Sequence, residues 1–144
     1  MKKENEYEAL KLKNQICFPL YAVSNMIIRR YKPLLDELDL TYTQYIAMMV
    51  LWEHKEVNEK KIGECLFLNS GTLTPLLKKL EAKGLLTRTR DKHDERNLVI
   101  SITKKGEELK KQAIHVPFEM AQELNLEPED AENLYSILYK ILEQ

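Results

Sequence analysis

NSGTLTPLLKKLEAKGLLTRTRDKHDERNLVISIT, residues 69–103, holds the pattern around which the rest of the chain is arranged. A helix-start signal at Ser70 precedes apolar residues at helical spacing, Leu73, Leu76, Leu77 and Leu80, and Gly84 stands where a C′ glycine ends a helix. Two runs that alternate with a period of two follow, Leu86 to Arg90 and Asn97 to Ile102, and the polar cluster Asp91 to Arg96 between them contains a hairpin turn. The expectation is one short helix joined to a two-stranded wing. Charge gathers on the same stretch. From Lys78 to Lys105 there are nine cations (Lys78, Lys79, Lys83, Arg88, Arg90, Lys92, Arg96, Lys104, Lys105) and four anions (Glu81, Asp91, Asp94, Glu95), in a chain whose formal net charge is −1. A phosphate-binding surface requires that kind of local excess.

The 144 residues, 44% hydrophobic and 31% charged, are enough to close one modest core, so residues 1–144 read as a single domain. No apolar run approaches the roughly 18 to 20 residues of a membrane span, and the Lys/Glu-rich start lacks a signal-peptide h-region. A cytoplasmic location without membrane contact is therefore expected. Cys17 and Cys65 form no CxxC, and His54, His93 and His115 are scattered, which argues against a structural zinc site or a disulfide scaffold. Neither a metal nor a cofactor is expected. Four glycines and five prolines leave little room for a glycine-rich phosphate loop, which speaks against a nucleotide-using enzyme.

Working outward, apolar residues recur at helical spacing from about Tyr7 to Leu38 (Leu10, Ile16, Leu20, Val23, Ile27, Leu34), predicting a long first helix bent near Pro19 and ending near Pro33. Thr41 or Thr43 suits an N-cap for a helix to about His54, with Ile46, Met49, Val50 and Trp52 on its buried face. Glu59 to Phe67 and Ser70 to Lys83 then form two short helices joined tightly at Asn69, a helix-turn-helix. After the wing, Thr103 caps a charged helix through about Leu124 that Pro117 interrupts, and Pro128 starts a last helix with Glu129 and Asp130 in its first turn. That helix carries a stripe of Leu134, Ile137, Leu138, Ile141 and Leu142. The fold class expected is mainly α with a small β wing. A winged helix-turn-helix at about 41–103 is flanked by helical regions at about 1–40 and 104–144, with more apolar stripe than so small a reading module should bury. An intrachain helical core would use that stripe; a symmetric homodimer would use it too, and would also set two reading helices about one DNA turn apart on a pseudo-palindromic site.

A helix entering the major groove presents its N-terminal side chains to base edges. Ser70, Thr72 and Thr74 stand there, Lys78 and Lys79 lie a turn further on, and Arg88 and Arg90 lie on the first strand of the wing. Hydroxyls and exposed amides at a helix start suit phosphate and base contacts, although a lysine pair by itself also reads as a solvated face. Arg96, at the foot of the hairpin tip, can reach into a narrow minor groove, with Asp94 two residues away to pair with it and hold its orientation.

The order of parts and the strings SGTLTPLLKKLE (70–81) and DERNLVISIT (94–103) resemble the MarR family of winged-helix transcriptional regulators over essentially the whole chain. The Asp-x-Arg of the wing, here Asp94 and Arg96, matches that family's pattern. The resemblance implies a homodimer bound to double-stranded operator DNA, most often as a repressor. NQICFPLYA (14–22) and LTYTQY (40–45) resemble the OhrR-like subgroup that senses organic hydroperoxides, including the SarZ/MgrA-like regulators. That resemblance implies Cys17 as redox sensor, Tyr31 and Tyr42 as tyrosines that bond to it from the other subunit, and Tyr21 as a further nearby tyrosine. The small-molecule partners it implies are an oxidant and a low-molecular-weight thiol.

The residues bear on this independently. A thiol reacts with a peroxide as thiolate, and phenolic hydroxyls favour that anion by donating to it. Tyr31 lies 14 residues beyond Cys17 on a similar helix face, but about 21 Å along the axis at 1.5 Å per residue. If the two meet, a second subunit must bring them together. A free cysteine in an apolar helix also reads as a small buried hydrophobe, and Cys65, among Ile62, Leu66 and Leu68, is expected in the core. The two-cysteine members of the subgroup carry a resolving cysteine near the C-terminal helices, where this chain has none. A one-cysteine mechanism is therefore expected. The alternatives are a MarR-like repressor released by an aromatic or lipophilic ligand without redox chemistry, a thiol enzyme using Cys17, for which no histidine lies at a suggestive spacing, and a winged helix used only for protein contacts.

Overall fold

The computed structural model describes residues 6–144. A 3₁₀ turn at Leu12–Asn14 precedes helix α1 (Cys17–Asp36), helix α2 (Tyr42–His54) and a short strand β1 (Glu56–Asn58). Helices α3 (Glu59–Leu66) and α4 (Ser70–Ala82) follow, then the hairpin of β2 (Leu86–Arg90) and β3 (Leu98–Ile102). Helices α5 (Lys104–Ala113), α6 (Val116–Leu124) and α7 (Pro128–Leu142) complete the chain. The mainly helical class with a small β wing is as the sequence predicts.

Local chemistry accounts for most of the boundaries. Thr41 is the N-cap of α2 and builds a capping box with Gln44, each side chain bonded to the other's backbone amide. Asn69, not Ser70, caps α4, with its Oδ1 accepting the Thr72 amide at 2.9 Å. Gly84 takes a left-handed φ of +78°, and the Leu85 amide reaches back to the Leu80 carbonyl, so the expected C′ glycine closes α4. Thr103 caps α5, and Pro117 sits in the first turn of α6, where a missing amide costs least. Gly106 is required for another reason: a Cβ there would stand 2.3 Å from the Leu85 carbonyl oxygen.

The structure corrects four expectations. The first helix does not run unbroken from Tyr7 with a bend at Pro19; the chain breaks before Cys17, and Pro19 occupies the first turn of α1, where the amide has no helical acceptor. The wing sheet has three strands in the order β1-β3-β2, all antiparallel, with Val57 opposite Ile100 and Arg88 opposite Ile100 on the other side. Strand β1 is three residues long, too short to show a period. The buried stripe of α2 is Gln44, Ala47, Met48 and Leu51, joined by Tyr45 and Val50, while Met49 is exposed and Ile46 and Trp52 are half-buried. An almost wholly apolar helix leaves its orientation to its neighbours. Cys65 is exposed, because α3 buries Ile62 and half-buries Leu66 and Cys65 lies about a quarter-turn round the helix from that stripe.

One core joins the elements between Leu35 and Val116. Leu35, Met48, Leu51, Ile62, Leu73, Leu77, Leu80, Leu86, Ile100 and Val116 are all essentially inaccessible to solvent. Burying ten such side chains at roughly 1.5–3 kcal/mol each supplies the main drive for folding the middle of the chain. Trp52 ties α2 to α5 by donating its indole N–H to the Gly106 carbonyl at 2.8 Å.

Candidate functional site

Two groups of candidate residues lie far apart in the chain. The first is the reading head. Leu73, Leu76, Leu77 and Leu80 fasten α4 to the core, which turns Ser70, Thr72, Lys78 and Lys79 outward. Thr74 is not free in the same way: it is half-buried and its Oγ1 donates to Glu59 Oε1 at 3.0 Å, pinning α4 to α3. On the wing, Arg90 donates through Nη1 to the Glu95 carbonyl at 2.8 Å and stiffens the hairpin tip. Asp94 does not pair with the Arg96 guanidinium. Its Oδ1 accepts the backbone amide of Arg96 at 3.1 Å, an Asx turn that sets the backbone and leaves the Arg96 side chain exposed.

The nine-cation stretch is less uniform than a count suggests. Arg88 is half-buried with Nε enclosed and unpartnered, and its amide bonds Glu81 Oε2 at 2.8 Å. Lys83 turns inward toward the α1–α2 connection. The exposed cations Lys78, Lys79, Arg90, Lys92 and Arg96 remain on the head and wing. A groove of about 570 Å³ runs between α3, the start of α4 and the foot of β3, with Lys60, Asn69, Ser70, Arg96 and Asn97 among its walls.

The second group is the sensor candidate Cys17 and the tyrosines expected to serve it. Cys17 is the first residue of α1 and is exposed in the single chain, and no side chain caps the helix at Ile16. Tyr21, one turn on, is also exposed. Tyr31 and Tyr42 meet, their ring centroids 4.9 Å apart, and Tyr45 joins them at 5.8 Å and 6.4 Å. Tyr45 was missed in the sequence; its signal was its place three residues after Tyr42 on the same helix face. Burial pushes the Tyr31 hydroxyl up to about 12, with the neighbouring Tyr42 and Tyr45 adding to the effect, and burial raises Tyr42 and Tyr45 as well. All three are held as protonated donors at neutral pH, and among the described residues no hydrogen bond engages their hydroxyls. Since Cys17 and Tyr31 lie on one unbroken helix, about 21 Å separates them along its axis. The chain therefore does not bring Cys17 to its own Tyr31, nor to the Tyr42 packed on it, whereas Tyr21 lies one turn away on the same helix.

A family model described as Transcriptional regulator SarA/Rot matches residues 29–113. The chain belongs to this family of regulators. The Organic hydroperoxide resistance transcriptional regulator of Bacillus subtilis (strain 168) is 48% identical over 140 residues, covering 97% of this chain and 95% of that protein. The HTH-type transcriptional regulator SarZ of Staphylococcus aureus is 44% identical over 135 residues, covering 94% and 88%. Among solved structures, reduced AbfR bound to DNA superposes with a TM-score of 0.80 at 31% identity, covering 97% of each chain. Reading the strings at 14–22, 40–45, 70–81 and 94–103 as those of an OhrR/SarZ-like winged-helix regulator thus agrees with the relatives found.

Proposed function

We propose that the protein is a DNA-binding transcriptional repressor, cytoplasmic and not an enzyme, that acts as a homodimer and releases its operator when an organic hydroperoxide oxidises Cys17. The observation that carries this reading is the separation of the two halves of the sensor on one helix. An exposed thiol stands at one end of α1, and three protonated phenols with unengaged hydroxyls stand at the other. Two antiparallel copies of α1 supply what one lacks, setting Cys17 of each against Tyr31 and Tyr42 of the other. The exposed apolar residues of the terminal segments, such as Ile16, Phe18, Ile137 and Ile141, provide the surface for that pairing.

The chemistry balances without a metal or cofactor. The Cys17 sulfur attacks a peroxide oxygen, the O–O bond breaks, and Cys–SH with ROOH becomes Cys–SOH with ROH. A small thiol R′SH then condenses with the sulfenic acid to Cys–S–S–R′ and releases water. A second molecule of R′SH can then displace Cys17 from the mixed disulfide, giving R′S–S–R′ and restoring the thiol, which resets the sensor. Loss of the thiol and the added bulk alter its contacts with the tyrosines and shift the two reading heads relative to each other. In the DNA complex Ser70 and Thr72 meet the major groove, Lys78, Lys79 and Arg90 the backbone, and Arg96 the minor groove. The strongest support for DNA binding is the overlap of the whole chain with a DNA-bound relative.

The test is binding to DNA upstream of the protein's own gene, with and without cumene hydroperoxide plus a small thiol, in wild type and Cys17→Ser. Release in the wild type alone is expected; binding indifferent to oxidant in both proteins would sink the redox reading.

A second reading has one observation of its own. An apolar crevice of about 440 Å³ between α2 and the α5–α6 junction is lined by Tyr45, Met49, Trp52, Ile114 and Phe118, with Lys110 at its rim. An aromatic acid seated there would give a ligand-released repressor, and its induction would survive Cys17→Ser.

A further inference from the structure

We infer that Lys83 is a positioning residue that transmits the state of the tyrosine cluster to the DNA-reading helix. The inference rests on the redox reading above and concerns how it reaches the DNA. Lys83 is the C-cap of α4, and its ammonium leaves the basic surface to cross to the α1–α2 connection. There it donates to the Asp39 carbonyl and to Gln44 Oε1, the latter at 3.1 Å, with the Asp39 carboxylate 3.6 Å away. Asp39 adopts a left-handed φ of 53°, which presents that carbonyl as α1 ends.

Gln44 makes the link specific. Its side chain is buried, and its Oε1 accepts both the Thr41 amide and the Lys83 ammonium. Thr41 immediately precedes Tyr42, whose ring packs on Tyr31. A movement of Tyr42 therefore moves the capping box, and the capping box holds the end of α4 through Lys83. The buried side chains that α4 carries are leucines, and apolar burial by itself carries little direction. A polar bond at the helix terminus does carry direction. Lys105 adds a brace on the other side by donating to the Lys83 carbonyl at 2.8 Å. The reading end of α4 lies about 20 Å from Lys83, thirteen residues up the helix, so Lys83 is not placed to read DNA itself.

The test measures dissociation constants for the operator in the reduced protein and after treatment with cumene hydroperoxide and a small thiol, for wild type, Lys83→Met and Lys83→Arg. Methionine keeps the apolar stem and leaves Gln44 Oε1 bonded to Thr41, so no buried acceptor is stranded. Reduced Lys83→Met should bind within about threefold of wild type, with an unchanged dependence on salt. Its oxidised-to-reduced ratio should fall at least about fivefold, the lower end of ordinary coupling. Lys83→Arg, which restores the donors, should recover most of the ratio. A wild-type ratio in Lys83→Met overturns the inference. So does a salt slope reduced by about one, which would make Lys83 a phosphate contact, and so does equal weakening of reduced and oxidised binding. If wild type itself binds DNA and ignores the oxidant, the redox reading fails first, and this is seen without any Lys83 variant.

Discussion

The middle of the chain and its two ends are built to different standards. Every buried hydrophobic residue among the described residues lies between Leu35 and Met120, and the match to the family model, 29–113, covers nearly the same span. Among the described residues before Leu35 and throughout α7 none is buried, yet both regions carry amphipathic stripes, with Ile16 77% exposed and Ile137 56% exposed. One chain thus completes the reading module and leaves the ends unfinished. In the proposed dimer the ends are finished by each other, and Cys17, the proposed sensor, sits in the unfinished part, where a change of chemistry would act on packing between copies instead of on the core.

That contrast sets an order of effects. The largest belongs to the middle. Leu77→Ala, which empties a fully buried site on α4, should cost about 3 kcal/mol, seen in denaturant unfolding as a loss independent of protein concentration. Next comes the last helix: Ile137→Asp with Ile141→Asp should leave the middle folded but convert the dimer to monomer in sedimentation, weakening operator binding at least about a hundredfold through lost bivalency. A dimer unaffected by both substitutions would break the comparison. Arg96→Ala should weaken operator binding by about 1–3 kcal/mol while leaving the melting temperature alone, whereas Asn69→Ala should lower stability by about 1 kcal/mol through the lost cap.

The smallest effect is alkaline. Tyr31 is raised from 10.0 to about 12 by burial, so its neutral form contributes stability that is intact below pH 10 and lost as pH rises through about 12. Tyr31→Phe removes that ionisation. Between pH 10 and 12 its unfolding free energy should fall less steeply than that of wild type.

Much of this was legible in the residues. The leucine rhythm and Gly84 placed α4, alternation placed β2 and β3, and Thr103 and Pro128 marked helix starts where they occur. Each signal is local, because caps, turns and period depend on neighbours within a few residues. The roles proposed for Cys17, Tyr31 and Tyr42 come through resemblance, since nothing in a spacing of fourteen residues says that two side chains meet. Asp94 misled for the opposite reason: a side chain two residues from Arg96 found the nearer backbone amide before the guanidinium.

By itself, then, the sequence determined the kinds of element, their order and the place where positive charge gathers, because helix and strand signals are carried by short windows of residues. The tertiary structure alone decided which side of α2 faces inward, that β1 joins the sheet, that Cys65 is exposed, and that Tyr45 completes an aromatic cluster with Tyr31 and Tyr42. It also decided that Lys83 leaves the basic face to bind a turn 44 residues earlier in the chain. These features depend on which surfaces meet across long loops of chain, and a nearly all-apolar helix or a long flexible cation has several equally good local choices until a neighbour arrives to select one.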